Sequence, residues 1–182
     1  PRVVPGKQDV AVAGSGIIKD WKIVGWLDET ETRAVGLVLG YITGGAIDVI
    51  NYPESGKRVS LEILNATKQV KAQVAGNEVT ANVKVTLDLR VSEASVQEKV
   101  TGEEYLRSLE QAAALQIKQD IQRVIQKLQK EFQADVLGIG WLVQRERPKD
   151  WQRLESSWSE VFSQAKMDVE VTVRIREIGM VG

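Results

Sequence analysis

Two carboxylates, Asp135 and Glu146, are the least arbitrary candidates for catalysis, because they lie on either side of the apolar run 136–143. A carboxylate pair can act as general acid and general base. The chain contains no histidine and no cysteine, which excludes the usual catalytic triads, thiol nucleophiles and zinc-hydrolase sites. Asp135, however, follows a predicted helix, where a short polar side chain commonly bonds local backbone amides. We therefore predict a structural role for Asp135 and no enzymatic activity for the chain.

The glycine-containing and acidic segments indicate no cofactor or metal site. Residues 36–45 contain several glycines but lack the phosphate-binding patterns of P-loops and dinucleotide-binding folds. Asp28, Glu29 and Glu31 lack the spacing of a calcium-binding loop, so capping of a helix is their simpler role. We predict that the protein uses no cofactor and binds no metal.

A basic segment around Pro148 is the candidate contact surface for a protein partner. It contains Arg145, Arg147 and Lys149, whose charges flank a rigid proline. A basic loop of this kind is more commonly just solvated, and that interpretation stays open beside the functional one. The chain carries 24 basic and 25 acidic residues, a net charge of -1. Because no overall basic field exists, we predict no binding to nucleic acid.

The size and composition of the chain predict a single domain over residues 1–182. Hydrophobic residues make up 43% and charged residues 27%, as in ordinary globular proteins. A chain of this length buries roughly 70% of the surface that its unfolded form exposes. We therefore expect a monomer that folds around its own core.

The first half of the sequence predicts mainly strands. Its clearest signal is the strict alternation of apolar and polar residues over 79–91. Residues 29–39 begin with a capping pattern, and helix and strand both remain open for them. Two hairpins are expected, with turns at residues 19–21, where Trp21 is exposed, and at 75–77. The other predicted strands cover residues 11–18, 22–27, 46–50 and 59–74.

A long amphipathic helix is predicted in the second half. It begins at the capping-box sequence Thr101 to Glu104, and its apolar stripe continues to Phe132. Packing on a sheet is favoured over a coiled coil, because the run has a single stripe and contains three alanines. The opposite, solvated face is predicted to contain Lys118, Gln122, Gln126, Gln129 and Lys130.

Three further elements complete the predicted fold. Residues 136–143 are interpreted as a buried strand that includes Trp141. The short helix that follows carries Trp151 and Trp158 as core anchors. A final strand covers residues 167–176. This order predicts an α+β fold, a mostly antiparallel or mixed sheet with one long and one or two short helices packed on one face.

Several segments of the sequence occur together in one recognisable order. They are residues 21–32, the Asp-Val-Leu-Gly-Ile-Gly sequence at 135–140, Pro148 followed by Trp151, Trp158 and Phe162, and the closing Arg-Ile-Arg-Glu-Ile-Gly sequence at 174–179. With these features the chain resembles the C-terminal domain of the Ger(x)C family of spore-germination proteins. Residues 144–147 depart locally from the family pattern.

The resemblance implies a C subunit of a GerA-type nutrient-germinant receptor. A subunit of this kind has a lipoprotein signal, a lipidated amino-terminal cysteine and earlier domains, all of which we expect to lie outside this chain. It is peripheral and lipid-anchored at the spore inner membrane, beside membrane-embedded receptor subunits, and no enzymatic activity is attributed to it. We therefore predict a non-enzymatic scaffold or protein-interaction domain. The alternative is a module that binds a small-molecule germinant.

Overall fold

A computed structural model describes residues 2–3, 10–11, 14–50, 58–94 and 102–178 of the chain. Its strands are β1 (Arg2–Val3), β2 (Val10–Ala11), β3 (Ser15–Lys19), β4 (Lys22–Leu27), β5 (Ala46–Ile50), β6 (Arg58–Ala75), β7 (Glu78–Ala94) and β8 (Lys166–Ile178). Its α-helices are α1 (Glu29–Leu39), α2 (Glu103–Lys127), α3 (Ile139–Glu146), α4 (Pro148–Leu154) and α5 (Trp158–Gln164). A π-helical turn, Leu128–Phe132, extends α2, and a 3-10 turn, Glu155–Ser157, separates α4 from α5. The predicted α+β class is confirmed.

The described strands form three sheets. β1 pairs with β2 and β3 pairs with β4, both antiparallel. The third sheet has four strands in the order β5-β6-β7-β8. β5 runs antiparallel to β6, and the two-residue turn at Gly76 and Asn77 makes β6 and β7 antiparallel as well. The predicted mostly antiparallel or mixed sheet is confirmed.

The chain forms two compact units, each made of three separate segments. One contains the described residues of Pro1–Gly36, Lys71–Ala81 and Asp120–Asp168. The other contains the described residues of Leu37–Val70, Asn82–Gln119 and Val169–Gly182. Strands β6, β7 and β8 and helix α2 contribute residues to both units. The single domain over residues 1–182 stays a prediction.

The alternation predicted for residues 79–91 is present in β7. Every apolar position of this run is buried, and every intervening polar position is at least partly exposed. The buried side chains are Val79, Ala81, Val83, Val85, Leu87, Leu89 and Val91. In β6 the buried positions stop at Ile63, so the second half of that strand is not part of the core.

The polar face of the four-stranded sheet carries ion pairs between neighbouring strands. In the second unit, Arg90 contacts both Glu62 and Glu177. The Arg176 Nε atom donates to the Asp88 carboxylate at 2.7 Å, and this hydrogen bond lowers the pKa of Asp88 below its ordinary value. Exposed ion pairs stabilise a fold only weakly. The buried apolar face is therefore the larger contribution to the stability of this sheet.

The β3–β4 hairpin is closed by a turn with left-handed backbone angles. Asp20 and Trp21 have φ values of 49° and 63°, as type I′ turns require. Trp21 is fully exposed, as predicted. A Cβ atom on Gly25 would lie 2.2 Å from the ring of Phe132, so only glycine permits this approach. The hairpin is confirmed, although β3 begins at Ser15 rather than at residue 11, and residues 12–13 lie outside the described part.

Residues 29–39, for which helix and strand were both open, form helix α1. The Asp28 carboxylate accepts a hydrogen bond from the Glu31 backbone N–H at 2.8 Å. The Glu31 carboxylate accepts one from the Asp28 N–H at 2.9 Å, which completes a capping box. Lys127 also donates to the Glu31 carboxylate, at 2.8 Å. These acidic residues cap a helix, as their simpler interpretation predicted.

The predicted long helix is confirmed as α2 and its π-helical extension, although Thr101 lies outside the described residues. The prediction that Gln129 lies on the solvated face was wrong. Gln129 is only 8% exposed, and its side-chain amide donates to the carbonyls of Phe162 and Ala165 at 2.8 Å each. Gln129 follows the buried Ile125 by four residues, so it lies on the packed face of the helix although its side chain is polar. Among the described helices, none is long and apolar enough to cross a membrane.

The prediction of a buried strand over residues 136–143 was wrong, because this segment turns and then forms helix α3. Ile139, Leu142 and Val143 are buried at helical spacing. The predicted burial of Trp141 was also wrong, since its side chain is 62% exposed. The single short helix predicted after residue 148 is two helices with the 3-10 turn between them. The final strand is confirmed as β8.

Candidate functional site

Asp135 organises the start of helix α3. Its carboxylate accepts hydrogen bonds from the backbone N–H groups of Ile139 at 3.0 Å and Gly140 at 2.6 Å. It also accepts one from the indole Nε1–H of Trp158 at 3.0 Å. A negative charge at this end of a helix is favoured by the helix dipole. With three donors bound, Asp135 has the structural role that the sequence predicted.

Gly140 lets two tryptophan rings pack against the first turn of α3. A Cβ atom at this position would lie 2.6 Å from Trp158 Nε1 and 3.1 Å from Trp151 Cζ3. The Trp151 and Trp158 ring centroids are 5.1 Å apart, with the rings tilted by 57°. Both rings are half-buried. The glycine, the carboxylate and the two indoles therefore form one cluster that holds α3 in place.

The opposite face of α3 presents an aromatic ring and a cation together. Trp141 is exposed, and the guanidinium of Arg145 lies 4.5 Å from the centre of its ring. The two residues are one helical turn apart, where side chains meet. A guanidinium over an indole face at this distance is a cation–π contact.

The candidate partner-binding residues Arg145, Arg147 and Lys149 do not lie in a loop, and that part of the prediction was wrong. Arg145 is in the last turn of α3, Lys149 is in the first turn of α4, and only Arg147 separates the two helices. All three side chains are exposed. Arg145 also pairs with Glu146 at 2.7 Å. We call Trp141, Arg145, Arg147 and Lys149 the basic corner.

Comparison with known protein families shows to which family this chain belongs. The family described as "Spore germination B3/ GerAC like, C-terminal" matches residues 13–179. The chain belongs to this family. The resemblance to Ger(x)C proteins is thereby confirmed, and its most specific residues now have a structural explanation. In this germination-family chain, Asp135, Gly140, Trp151 and Trp158 are the cluster that holds α3.

Individual relatives agree with the family assignment. The chain is 26% identical to spore germination protein B3 of Bacillus subtilis (strain 168) over 172 residues, which cover 93% of this chain and 45% of that protein. It is 28% identical to spore germination protein A3 of the same organism over 185 residues, with 100% and 49% covered. The crystal structure of the GerBC protein has the same fold, with a TM-score of 0.79 at 24% identity, over 90% of this chain and 51% of that one. The chain spans about half the length of the curated relatives it matches.

Trp141 is the residue of the basic corner that the sequence interpretation missed. Its four-residue spacing from Arg145 was visible, but it indicates a surface pair only if the segment is helical. Glu146, the second catalytic candidate, pairs with Arg145 at the surface instead. Within residues 14–50, 58–94 and 102–178, no group of three or more carboxylates is arranged to hold a metal ion.

A polar cleft of about 420 Å³ lies in the first unit, between the start of β7 and the helix α5. Its charged residues are Glu78, Glu160 and Lys166. Asn77, Thr80, Ser157 and Gln164 supply further hydrogen-bonding groups, and Val79 and Val161 complete the lining. The cleft could therefore hold a small polar molecule that carries both charges.

Proposed function

We propose that this chain is the C-terminal part of a germinant-receptor C subunit, which holds receptor partners together without catalysing a reaction. The observation that carries the proposal is the basic corner, an exposed tryptophan in cation–π contact with Arg145 and followed by two more cations. The relatives named as spore germination proteins support the biological setting. The partners would be membrane-embedded receptor subunits, with this subunit peripheral and lipid-anchored at the spore inner membrane.

The chemistry of the basic corner suits recognition of a protein. Tryptophan and arginine are enriched among the residues that contribute most to binding energy at protein interfaces. Within the described part of the chain, no ion pair involves the side chains of Arg147 and Lys149, which leaves their charges for carboxylates of a partner. The surface that fits this corner has an apolar recess for Trp141, bordered by acidic side chains.

Reversing two charges of the basic corner is expected to weaken receptor assembly without unfolding the chain. In the variant Arg145→Glu/Arg147→Glu, the free energy of unfolding should change by no more than about 1 kcal/mol, because exposed charges and exposed cation–π contacts contribute little. Capture of the membrane-embedded receptor subunits from detergent-solubilised spore membranes should fall at least about tenfold, as expected for like-charge contacts at an interface. Thermal melting and quantitative capture measure the two effects.

The matched control is Lys71→Glu/Arg174→Glu, which reverses two exposed charges elsewhere and should leave capture unchanged. Equal capture by the parent and the Arg145→Glu/Arg147→Glu variant would exclude the basic corner as the contact surface. Turnover of a soluble substrate by the purified chain would contradict the scaffold function itself.

The polar cleft supports the second candidate, a module that binds a small-molecule germinant. Opposite charges around the cleft suit the ammonium and carboxylate groups of a zwitterion. Isothermal titration of the chain with individual amino acids tests this function. Saturable binding that the Lys166→Met variant loses, and that the basic-corner variant keeps, would favour the second candidate over the first.

A further inference from the structure

The β3–β4 hairpin has two faces, and only one of them is covered. On the inner face, Ile17 and Leu27 are buried, and Gly25 packs against the ring of Phe132. The register pairs Gly16 with Trp26 and Ile18 with Ile23. A register shift between Ile17 and Ile18 keeps Trp26 and Ile23 on the same outer face, although they are three residues apart. Ile18 is 67%, Ile23 58% and Trp26 62% exposed. The outer face of this two-stranded sheet is therefore apolar and unpartnered among the described residues.

The tip of the hairpin continues this apolar surface. Trp21, at the turn, is completely exposed, and Lys19 and Lys22 face each other beside it in the register. Lys19 extends toward the inner side, where its ammonium donates to the Gln133 carbonyl at 2.9 Å. Asp20 in the turn offsets one of the two positive charges, so the tip carries a net charge of +1.

We infer that this hairpin tip inserts into the interface of an anionic lipid bilayer. Tryptophan is enriched at the level of lipid headgroups, where its ring is apolar and its N–H stays hydrated. The exposed Lys22 side chain can reach from such a depth to the headgroups, and anionic lipids attract it, whereas Lys19 is held at the Gln133 carbonyl. The apolar groups lie on one face and also at the apex of a narrow ribbon. Trp21 lies at the turn and is completely exposed, so its ring can enter the bilayer interface while the inner face keeps its contacts with Phe132 and Gln133.

Vesicle binding by the 182-residue chain tests the inference. The chain should sediment with phosphatidylcholine vesicles that contain about 30 mol% phosphatidylglycerol, because the anionic lipid attracts the lysine at the tip. Its tryptophan emission should shift to shorter wavelength on binding. Binding should weaken severalfold with pure phosphatidylcholine or in high salt, because both remove the charge attraction.

A variant that removes apolar area from the hairpin tip isolates the contribution of that surface. In Trp21→Asn/Ile23→Thr, asparagine tolerates the left-handed angle of the turn and threonine suits a strand, so the hairpin should be retained. The partition coefficient should fall at least about tenfold, because two large side chains no longer enter the bilayer. The control Tyr41→Ser/Leu115→Gln removes an exposed aromatic and an exposed aliphatic residue elsewhere, and should bind as the parent does.

A variant that changes charge alone keeps the inference testable if the apolar variant does not fold. Lys22→Gln should lower binding to the anionic vesicles about fivefold, the value for one lysine near such a surface. The inference is overturned if the parent binds neither kind of vesicle, or if the control variant loses binding as much as the tip variant. It is also overturned if the parent is a dimer in solution and Trp21→Asn/Ile23→Thr is a monomer, since a second copy would then cover the tip. The lipid inference is independent of the basic corner, so failure of either one leaves the other standing.

Discussion

Replacing Gly140 with valine is expected to lower the free energy of unfolding by about 3 to 5 kcal/mol, the sum of overpacking and a lost hydrogen bond to a charged group. The added Cβ atom would lie 2.6 Å from Trp158 Nε1, so the indole must move. Movement of the indole also breaks its hydrogen bond to Asp135. Urea denaturation followed by far-ultraviolet circular dichroism measures the change.

Gly44→Val is the matched control for this substitution. No atom lies within 4 Å of a Cβ at Gly44, and its φ is not in the left-handed region. Its free energy of unfolding should therefore stay within about 0.5 kcal/mol of the parent, as for surface substitutions in general. If Gly140→Val were as stable as Gly44→Val, the two indoles would not be packed against α3 as described.

The variant Asp135→Ala is expected to lose about 2 to 4 kcal/mol of stability, because the carboxylate accepts three hydrogen bonds and caps α3. Two backbone N–H groups and one indole N–H would lose their acceptor together. Chemical denaturation gives the size of the effect, and the chemical shift of the Trp158 indole proton reports the lost hydrogen bond directly.

A double-mutant cycle separates the indole contact from the helix cap. Trp158→Phe removes the indole donor, so the cycle of Asp135→Ala with Trp158→Phe should give a coupling energy of about 1 kcal/mol or more. As a control, Asp168→Ala removes a carboxylate whose ion pair with Lys166 is long, at 3.6 Å, and exposed. Its effect should be within about 0.5 kcal/mol. A coupling energy near zero would show that Asp135 stabilises α3 without the indole.

Variants of Gly140 and Asp135 are expected to affect receptor assembly only indirectly, by destabilising helix α3. Neither residue belongs to the basic corner, yet both hold the helix that presents Trp141 and Arg145. Loss of capture in these variants would follow from loss of α3. Only Arg145→Glu/Arg147→Glu, which should melt like the parent, tests the contact itself.

The sequence by itself determined the elements that bury one continuous face. In β7, every second residue from Val79 to Val91 is buried, so apolar residues alternate with polar ones in the sequence. In α2, the buried stripe makes apolar residues recur every three or four positions. The capping box of Asp28 and Glu31 was equally visible, because both of its hydrogen bonds join residues three apart. Signals of this kind are local or periodic, so they can be found without knowing what the element packs against.

Only the tertiary structure decided the segment that forms the candidate site. An apolar run of eight residues suits a buried strand as well as a helix. In the folded chain Asp135 caps the helix, and its third hydrogen-bond donor, Trp158, lies 23 residues later in the chain. The same holds for Gln129, whose amide is buried because it donates to carbonyls more than 30 residues away in the chain. Exposure of Trp141 follows from the packing of the opposite face of α3. Contacts between residues far apart in the chain produce no repeating pattern in the sequence, so the site could be identified only from the tertiary structure.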